Sequence, residues 1–408
     1  MPTGHAAPDS STCPGSSTGL ILTGGGARAA YQVGALAALL EIIDPCRRHD
    51  CLSPFAVVAG TSAGAINAAS LASHSHQVHH GITKLERLWG QLETGQVYEA
   101  DALGLIGVGV RWLSVMTLGW LIPAIRAGQP QSLLDNSPLR RLLNTTINFS
   151  QIERNIAHDR LKALAITATA YNTGEHLTFY QSRVPIKPWT RSSRKAVPGA
   201  IRADHLMASS AIPFIFPAES LLVRGQTQWC GDGSMRQLAP LSPAIHLGAE
   251  RVVVIGTAFN DDTHPEKGML DPPYPTLAQI GGHTLSNIFI DSLSMDVERM
   301  TRINQLLEQM PESALAAQAL RPVASLVITP SQSLEELAMQ HLHELPRAAR
   351  TLFRVLGVSS RSGSGTGGAL MSYLLFEARY TKELIRLGRS DTFNRQDEVK
   401  AFFKESLA

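Results

Sequence analysis

Two short apolar runs near the start of the chain each end in a glycine turn and continue into small-residue helical text, and no other feature restricts the fold as much. Gly19 to Thr23 (GLILT) is a run of the kind buried on both faces of a parallel sheet. Gly24, Gly25 and Gly26 follow it, and Arg28 to Ile43 then suits a helix that Pro45 ends. The second unit reads Phe55 to Ala59 (FAVVA) as a strand, Gly60 to Gly64 (GTSAG) as a sharp turn and Ala65 to Ala72 as a helix. Strand, tight turn and returning helix, repeated in this way, predict an α/β fold with a mainly parallel sheet.

Further strands are expected at Ala163 to Thr169, Leu177 to Tyr180, Arg251 to Gly256 and Ser325 to Thr329. Beyond about residue 260 the text is mainly helical, at Glu298 to Glu308, Leu334 to Val355 and Tyr380 to Leu387, broken by a glycine-serine stretch at 361 to 368. Three units follow: a polar leader over 1–18, an α/β domain over 19–258, and a helical extension over 259–408 packed on it.

With 408 residues, 44% of them hydrophobic and 17% charged, the chain has material for a large core in one big domain or two. Its 36 basic and 34 acidic residues leave no chain-wide field, so a nucleic-acid partner is not expected. Cys13, Cys46, Cys51 and Cys230 sit in a chain too large to need disulfide staples, and reduced thiols are the expectation. Cys46 and Cys51 bracket His49 at a spacing that fits none of the common zinc patterns, so no metal is expected. The leader, MPTGHAAPDSSTCPGSST, has no apolar run and does not read as a signal peptide. A cytoplasmic protein that contacts membrane surfaces peripherally is implied.

Gly60-Thr61-Ser62-Ala63-Gly64 is a Gly-x-Ser-x-Gly sequence set between an expected strand and an expected helix. A nucleophilic serine on such an elbow occupies a strained backbone position, and glycines two residues to either side relieve the crowding. The positive end of the next helix would point at charge developing during acyl transfer. The alternative is an ordinary tight turn between strand and helix.

The glycine loop Gly24-Gly25-Gly26-Ala27-Arg28 has two readings. Its backbone N–H groups suit an oxyanion hole, and Gly24, Gly26 and Ala29 also match a dinucleotide fingerprint. The second reading lacks its ribose ligand: the second strand runs directly into Ser62, and Glu41 and Asp44 lie on the helix and its end.

A serine hydroxyl needs a general base. In the α/β-hydrolase arrangement the base is a late histidine, here His341 or His343, but both fall in amphipathic helical text. Asp232, in Cys230-Gly231-Asp232-Gly233-Ser234, is the better candidate, because flanking glycines admit close backbone approach. A carboxylate is a weaker base than imidazole and must gain from desolvation. An Asp-Gly turn between strands is the alternative reading.

GGGAR at 24 to 28, GTSAG at 60 to 64 and DGS at 232 to 234, in this order, resemble the patatin-like phospholipase family. The likeness runs through most of the chain: SLLDNSPLRRLL at 132 to 143, ASSAIPFIFPA at 208 to 218, APLSPAIHLGAERVVVI at 239 to 255 and SYLLFEARYTKELIRLG at 372 to 388. It implies a patatin-like three-layer fold whose catalytic domain spans 19–258. It also implies a Ser62–Asp232 dyad, an oxyanion hole lined by Gly24, Gly25 and Gly26, Arg28 opening the following helix, and support from Gly60, Gly64 and Gly233. Phospholipids or lysophospholipids would be the substrates, cleaved through an acyl-enzyme with no cofactor. The family usually has glycine where this chain has Ala29, and Gly or Ala at the position of Ser234; both replacements are small. A lipid-binding protein that kept the fold without turnover is the competing function, and a nucleotide-binding α/β protein the third.

Two segments suggest lipid contact. Residues 102 to 125 are nearly continuous apolar text, long enough to span a bilayer, yet Arg111 is central and a single crossing would separate Ser62 from Asp232. A cap over the site, or a buried helical hairpin, is expected instead. From Arg183 to Arg202 stand Arg183, Lys187, Arg191, Arg194, Lys195 and Arg202 with Trp189 and no acid, a set that suits anionic head groups or plain solvation. His74, His76, His79 and His80 read as a polar helix end.

Overall fold

The computed structural model describes residues 17–46, 51–99, 132–186, 188–191, 193–259, 277–311, 320–355, 358 and 368–404. The leader through residue 16 with Cys13, the segment 102–125, His49, Lys187 and most of the glycine-serine stretch lie outside the described residues.

Among the described residues ten strands form one sheet. They are β1 (Thr18–Leu22), β2 (Val57–Thr61), β3 (Ala163–Ala170), β4 (His176–Ser182), β5 (Thr190–Arg191), β6 (Arg194–Pro198), β7 (Glu219–Val223), β8 (Gln226–Asp232), β9 (Arg251–Ile255) and β10 (Ala324–Ile328). The main path runs β10-β9-β1-β2-β3-β4-β6-β5, with β8 pairing β3 and β7 pairing β8. The middle, from β10 through β3, is parallel: Leu20 of β1 lies opposite Val58 of β2 on one side and Val253 of β9 on the other. Antiparallel pairs enter at β3–β4, β3–β8, β7–β8 and β5–β6.

The central strands are buried throughout, which explains their unbroken apolar text. Side chains alternate between the faces of a strand, so successive residues feed two different cores. Leu20, Leu22, Val58, Leu164 and Ile166 point into one, beneath α1 (Ala30–Ile43), α2 (Ala63–Ser73) and α3 (Val78–Gly90). Ile21, Val57, Ala163, Val252 and Val254 point into the other, with Leu241, Leu293 and Met300 from the helices Ser242–His246 and Leu277–Glu308 and the residue before them. Helices on both faces of one sheet make the expected three layers.

The sheet does not stop at residue 258, because β10 adds a parallel edge strand to β9. The helix Ala378–Asn394 also lies directly on α1: a Cβ on Gly34 would fall 1.9 Å from the carbonyl oxygen of Ile385, and one on Gly388 would fall 2.2 Å from that of Tyr31. Two helices this close exclude any larger residue at either crossing. Tyr31 Oη donates to Asp391 Oδ2 at 3.0 Å, and Arg389 grips Glu41 with bonds of 2.7 and 2.8 Å.

Several expected boundaries shift. β2 begins at Val57 and continues through Thr61, so Gly60 and Thr61 belong to the strand. Leu334 to Val355, read as one helix, is two, Leu334–Gln340 and Arg347–Val355, with a 3-10 turn between. Pro346 is the cause: it holds Leu345 extended, at ψ 144°, and the first helix cannot continue. Gly26–Ile43, the stretch among the described residues that is long and apolar enough to cross a membrane, is 83% buried and includes the core helix α1.

Candidate active site

Ser62 occupies the single residue between β2 and α2. Its backbone has φ 55° and ψ −130°, a conformation that costs an L-residue on the order of 1–3 kcal/mol and persists only under constraint. The constraint is visible on both sides. Its N–H donates to Ser209 Oγ at 2.8 Å, from the end of the helix Ala203–Ser209. Gly64 packs so tightly that a Cβ there would lie 2.4 Å from the carbonyl oxygens of Leu22 and Thr23, and one on Gly60 would lie 2.5 Å from that of Gly64.

Asp232 is the last residue of β8, not part of a turn joining two strands, and its N–H donates to the carbonyl of Ala211 at 3.0 Å. Gly233 follows it against Thr167, where a Cβ would lie 2.4 Å from the carbonyl oxygen. The two candidate residues, 170 positions apart, meet: Ser62 Oγ donates to Asp232 Oδ2 at 2.6 Å. The other carboxylate oxygen accepts from the N–H of Ser234 at 2.8 Å. Asp232 is fully buried, and burial pushes its carboxyl up to about 6, against the downward pull of the hydrogen bonds from Ser62 and Ser234. Thr61, one residue before the serine, accepts from Gln237 Nε2 at 2.7 Å and shares a 2.7 Å bond with Thr167, tying the end of β2 to the segment after Asp232.

The glycine loop lies beside them. Thr257 Oγ1 donates to the carbonyl of Gly24 at 2.6 Å, and the same threonine would be 2.5 Å from a Cβ on Gly25. Gly26, at φ 54°, faces the carbonyl oxygen of Tyr373 at 2.2 Å from where a Cβ would stand, so both its conformation and its neighbour demand glycine. Gly26 to Ala29 form a 3-10 turn, and α1 starts only at Ala30. Arg28 therefore lies in that turn and not in the helix. It is buried, with Nε donating to Ser372 Oγ at 2.7 Å, Nη2 to Glu335 Oε1 at 2.9 Å, and its guanidinium 4.1 Å above the Tyr373 ring.

Between Gly26 and Ser62 opens a narrow pocket of about 40 Å³. Its wall is almost wholly apolar, including Ile66, Trp89, Leu139, Leu142, Phe216 and Phe376. An apolar slot ending at a serine hydroxyl fits an aliphatic chain whose polar end sits at the serine. Beneath it runs a buried polar chain. Trp89 Nε1 donates to Asn67 Oδ1 at 2.8 Å, and Asn67 Nδ2 donates to Gln32 Oε1 at 3.0 Å and to the carbonyl of Ala29 at 3.1 Å. Gln32 Nε2 then donates to the carbonyls of Thr23 at 2.8 Å and Ile255 at 3.2 Å. Thr23 is the residue before the glycine loop.

Sequence reasoning missed Gln32, Asn67, Ser209, Gln237, Thr257, Glu335 and Ser372. Only Gln32 and Asn67 carried a signal, as lone amides inside otherwise apolar helical text. Other expected groups lie elsewhere. His341 is engaged by Glu383 at 2.6 Å and Glu344 at 3.3 Å, and His343 lies 3.7 Å from Glu344. Glu41 is held by Arg389, and Asp44 accepts from His79 Nε2 at 3.1 Å, so neither acid is placed as a ribose ligand. Cys46, Cys51 and Cys230 form no disulfide among the described residues. Asp44, Cys51 and His79 bring ligand atoms within 4.8 Å of one another, a grouping with metal-ligand chemistry that does not touch the pocket at Ser62. His74 turns inward to the carbonyl of Ser70, at 2.9 Å. The basic stretch 183–202 is not a block of free cations, because acids distant in sequence reach it: Arg183 pairs with Asp159 and Lys195 with Glu175. Trp189 is stacked between Tyr180 and His246, with centroids 5.7 and 4.7 Å away.

The patatin-like phospholipase family profile matches residues 20–245, more than half of the 408. Among solved structures, the chain is similar to VipD from Legionella pneumophila at 14% identity, covering 93% of this chain and 67% of that one with a TM-score of 0.33. It is similar to human GIVD cytosolic phospholipase A2 at 10% identity, covering 96% and 60%, with a TM-score of 0.44. It is also similar to ExoU of Pseudomonas aeruginosa, in complex with SpcU, at 22% identity over 40% of this chain and 34% of that one, with a TM-score of 0.22. The chain thus spans about 60% of the length of the human enzyme. None of the curated protein sequences compared with the chain matches it significantly. On the family match, together with the fold, the chain belongs to the patatin-like phospholipases, a family of lipid acyl hydrolases.

Proposed function

We propose that the chain hydrolyses fatty-acyl esters of membrane lipids, as a phospholipase A or lysophospholipase, with Ser62 as nucleophile and Asp232 as its base. The observation that carries this reading is the 2.6 Å bond from Ser62 Oγ to a fully buried carboxylate, at the end of an apolar pocket. A carboxylate in water is too weak a base for a serine hydroxyl. Burial raises the proton affinity of Asp232 and narrows that gap.

In the first step Ser62 Oγ bonds to the ester carbonyl carbon while its proton passes to Asp232. Negative charge collects on the carbonyl oxygen, where N–H groups of the Gly24 to Gly26 loop and the N-terminus of α2 would receive it. The carbon–oxygen bond to the glycerol side then breaks, and Asp232 returns the proton to the departing alcohol. Water repeats the sequence: it gives a proton to Asp232, bonds to the acyl carbon and releases Ser62, which takes the proton back. Residues 19–258 would carry both reacting side chains, and 259–408 would hold the glycine loop from behind. Work on a phospholipid or lysophospholipid places the protein at a membrane surface as a peripheral visitor.

The test is direct. An alkyl fluorophosphonate should label Ser62 and fail to label the Ser62→Ala protein, and both Ser62→Ala and Asp232→Asn should release no fatty acid from a panel of phospholipids and lysophospholipids. Turnover retained by folded Asp232→Asn would remove the aspartate from the scheme.

A further inference from the structure

The second core also borders a cavity. About 480 Å³ opens between the helices Ser242–His246 and Leu277–Glu308, on the opposite side of the sheet from the pocket at Ser62. Leu241, Met300 and Val323 give it an apolar floor, and Arg194, Arg299 and Arg321 bring three guanidinium groups to its wall.

The acids around those cations are already engaged. Arg321 meets Glu250 at 3.4 Å and donates to the carbonyl of Ala249 at 2.9 Å. Asp296, the carboxylate in the cavity lining, accepts from the N–H of Leu241 at 3.0 Å with one oxygen, and its other oxygen is 3.8 Å from Arg299. Arg194, at the start of β6 and half-buried, makes no side-chain hydrogen bond and no close ion pair among the described residues, and meets Asp296 only through a longer electrostatic contact. It belongs to the basic stretch whose other described pairs, Arg183–Asp159 and Lys195–Glu175, are neutralised. Arg194 and Arg299 share Asp296 as the one carboxylate of the described lining, so their charge exceeds its own by one, and an anion that also brings hydrocarbon matches that wall.

We propose that this cavity is a second, non-reacting lipid site, which takes a single-chain amphipathic anion with its phosphate or carboxylate head between Arg194 and Arg299 and its aliphatic chain over Leu241, Met300 and Val323. A planar guanidinium holds either head in a two-pronged contact. A free fatty acid and a single-chain phosphate share that chemistry.

Full-length Ser62→Ala protein, titrated calorimetrically with decanoate, decyl phosphate, decanol and inorganic phosphate, tests it. At least one of the two anionic amphiphiles should bind saturably and at least about tenfold more tightly than decanol or inorganic phosphate, and the tighter of the two names the head group. Arg194→Gln combined with Arg299→Gln should weaken that binding by at least about tenfold. Ile303→Trp, which fills the cavity from its lining without touching charge, should do the same. Thermal unfolding of each variant checks that it is folded. Binding that survives folded double-arginine and Ile303 variants alike belongs to the pocket at Ser62 and overturns the proposal. Decanol binding as tightly as the anions overturns it too, as does the absence of saturable binding by either anion.

Discussion

The indole N–H of Trp89 bonds to Asn67 Oδ1 at 2.8 Å, and through Asn67 and Gln32 the wall of the apolar pocket is joined to the backbone just before the glycine loop. Each amide in that chain gives and receives, so removing one member strands its neighbours.

Trp89→Phe keeps most of the ring and deletes only the donor. Leaving Asn67 Oδ1 without its partner should destabilise the protein by about 1–3 kcal/mol in denaturant titration. If the chain positions the glycine loop, kcat for a short ester that does not reach Trp89 should fall as well. A double-mutant cycle with Asn67→Ala should be non-additive. Unchanged short-ester turnover in Trp89→Phe would mean that the bond is structural only.

In the proposed scheme Asp232 must be ionised to accept the proton of Ser62, and its carboxyl is pushed up to about 6 by burial. The pH profile of kcat/KM should therefore lose activity below about pH 6, with a slope near one power of ten per unit. A profile flat down to pH 4.5 would contradict the assignment.

The same shift has a cost in stability. A carboxyl whose folded value lies above its unfolded one binds more protons when folded, so its penalty starts as pH rises past the unfolded value and is complete above about 6. A gap of roughly two pH units corresponds to roughly 3 kcal/mol. Asp232→Asn, expected to be inactive, should nonetheless unfold at a higher temperature than the parent at pH 8, and the advantage should vanish near pH 4.

Leu142 lines the pocket and is only partly buried. Leu142→Trp should shorten the space for an acyl chain, lowering kcat/KM for a palmitoyl ester by about tenfold or more while a butyryl ester changes by less than about twofold. Chain-length profiling against p-nitrophenyl esters reads this out. Equal losses on both substrates would place Leu142 outside the path of the chain.

The early half of the site was legible because it is local. Strand, elbow and helix around Ser62 are consecutive in sequence, and their limits moved by no more than two residues, with β2 at Val57–Thr61 and α2 starting at Ala63. Asp232 was legible as a candidate by its flanking glycines, but its place at the end of β8 was not, because Gln226 to Asp232 mixes polar and apolar residues at an antiparallel margin of the sheet. Arg28 was found as a motif residue, yet its partners Glu335 and Ser372, 307 and 344 positions away, left no periodic trace. The pairing within the basic stretch left no local sign for the same reason: Asp159 and Glu175, which neutralise two of its cations, lie outside it.

Those distances order events during synthesis. A ribosome that has released the chain only as far as β9 has already exposed Ser62, Asp232 and the three glycines, yet Tyr373, which walls Gly26, and Glu335 and Ser372, which hold Arg28, are still unmade. The helix that covers α1 comes later still. A nascent chain is thus denied a braced glycine loop until nearly all of it has emerged. On the proposed chemistry the consequence is a delay: a chain interrupted midway would carry Ser62 and Asp232 without the support behind the glycine loop.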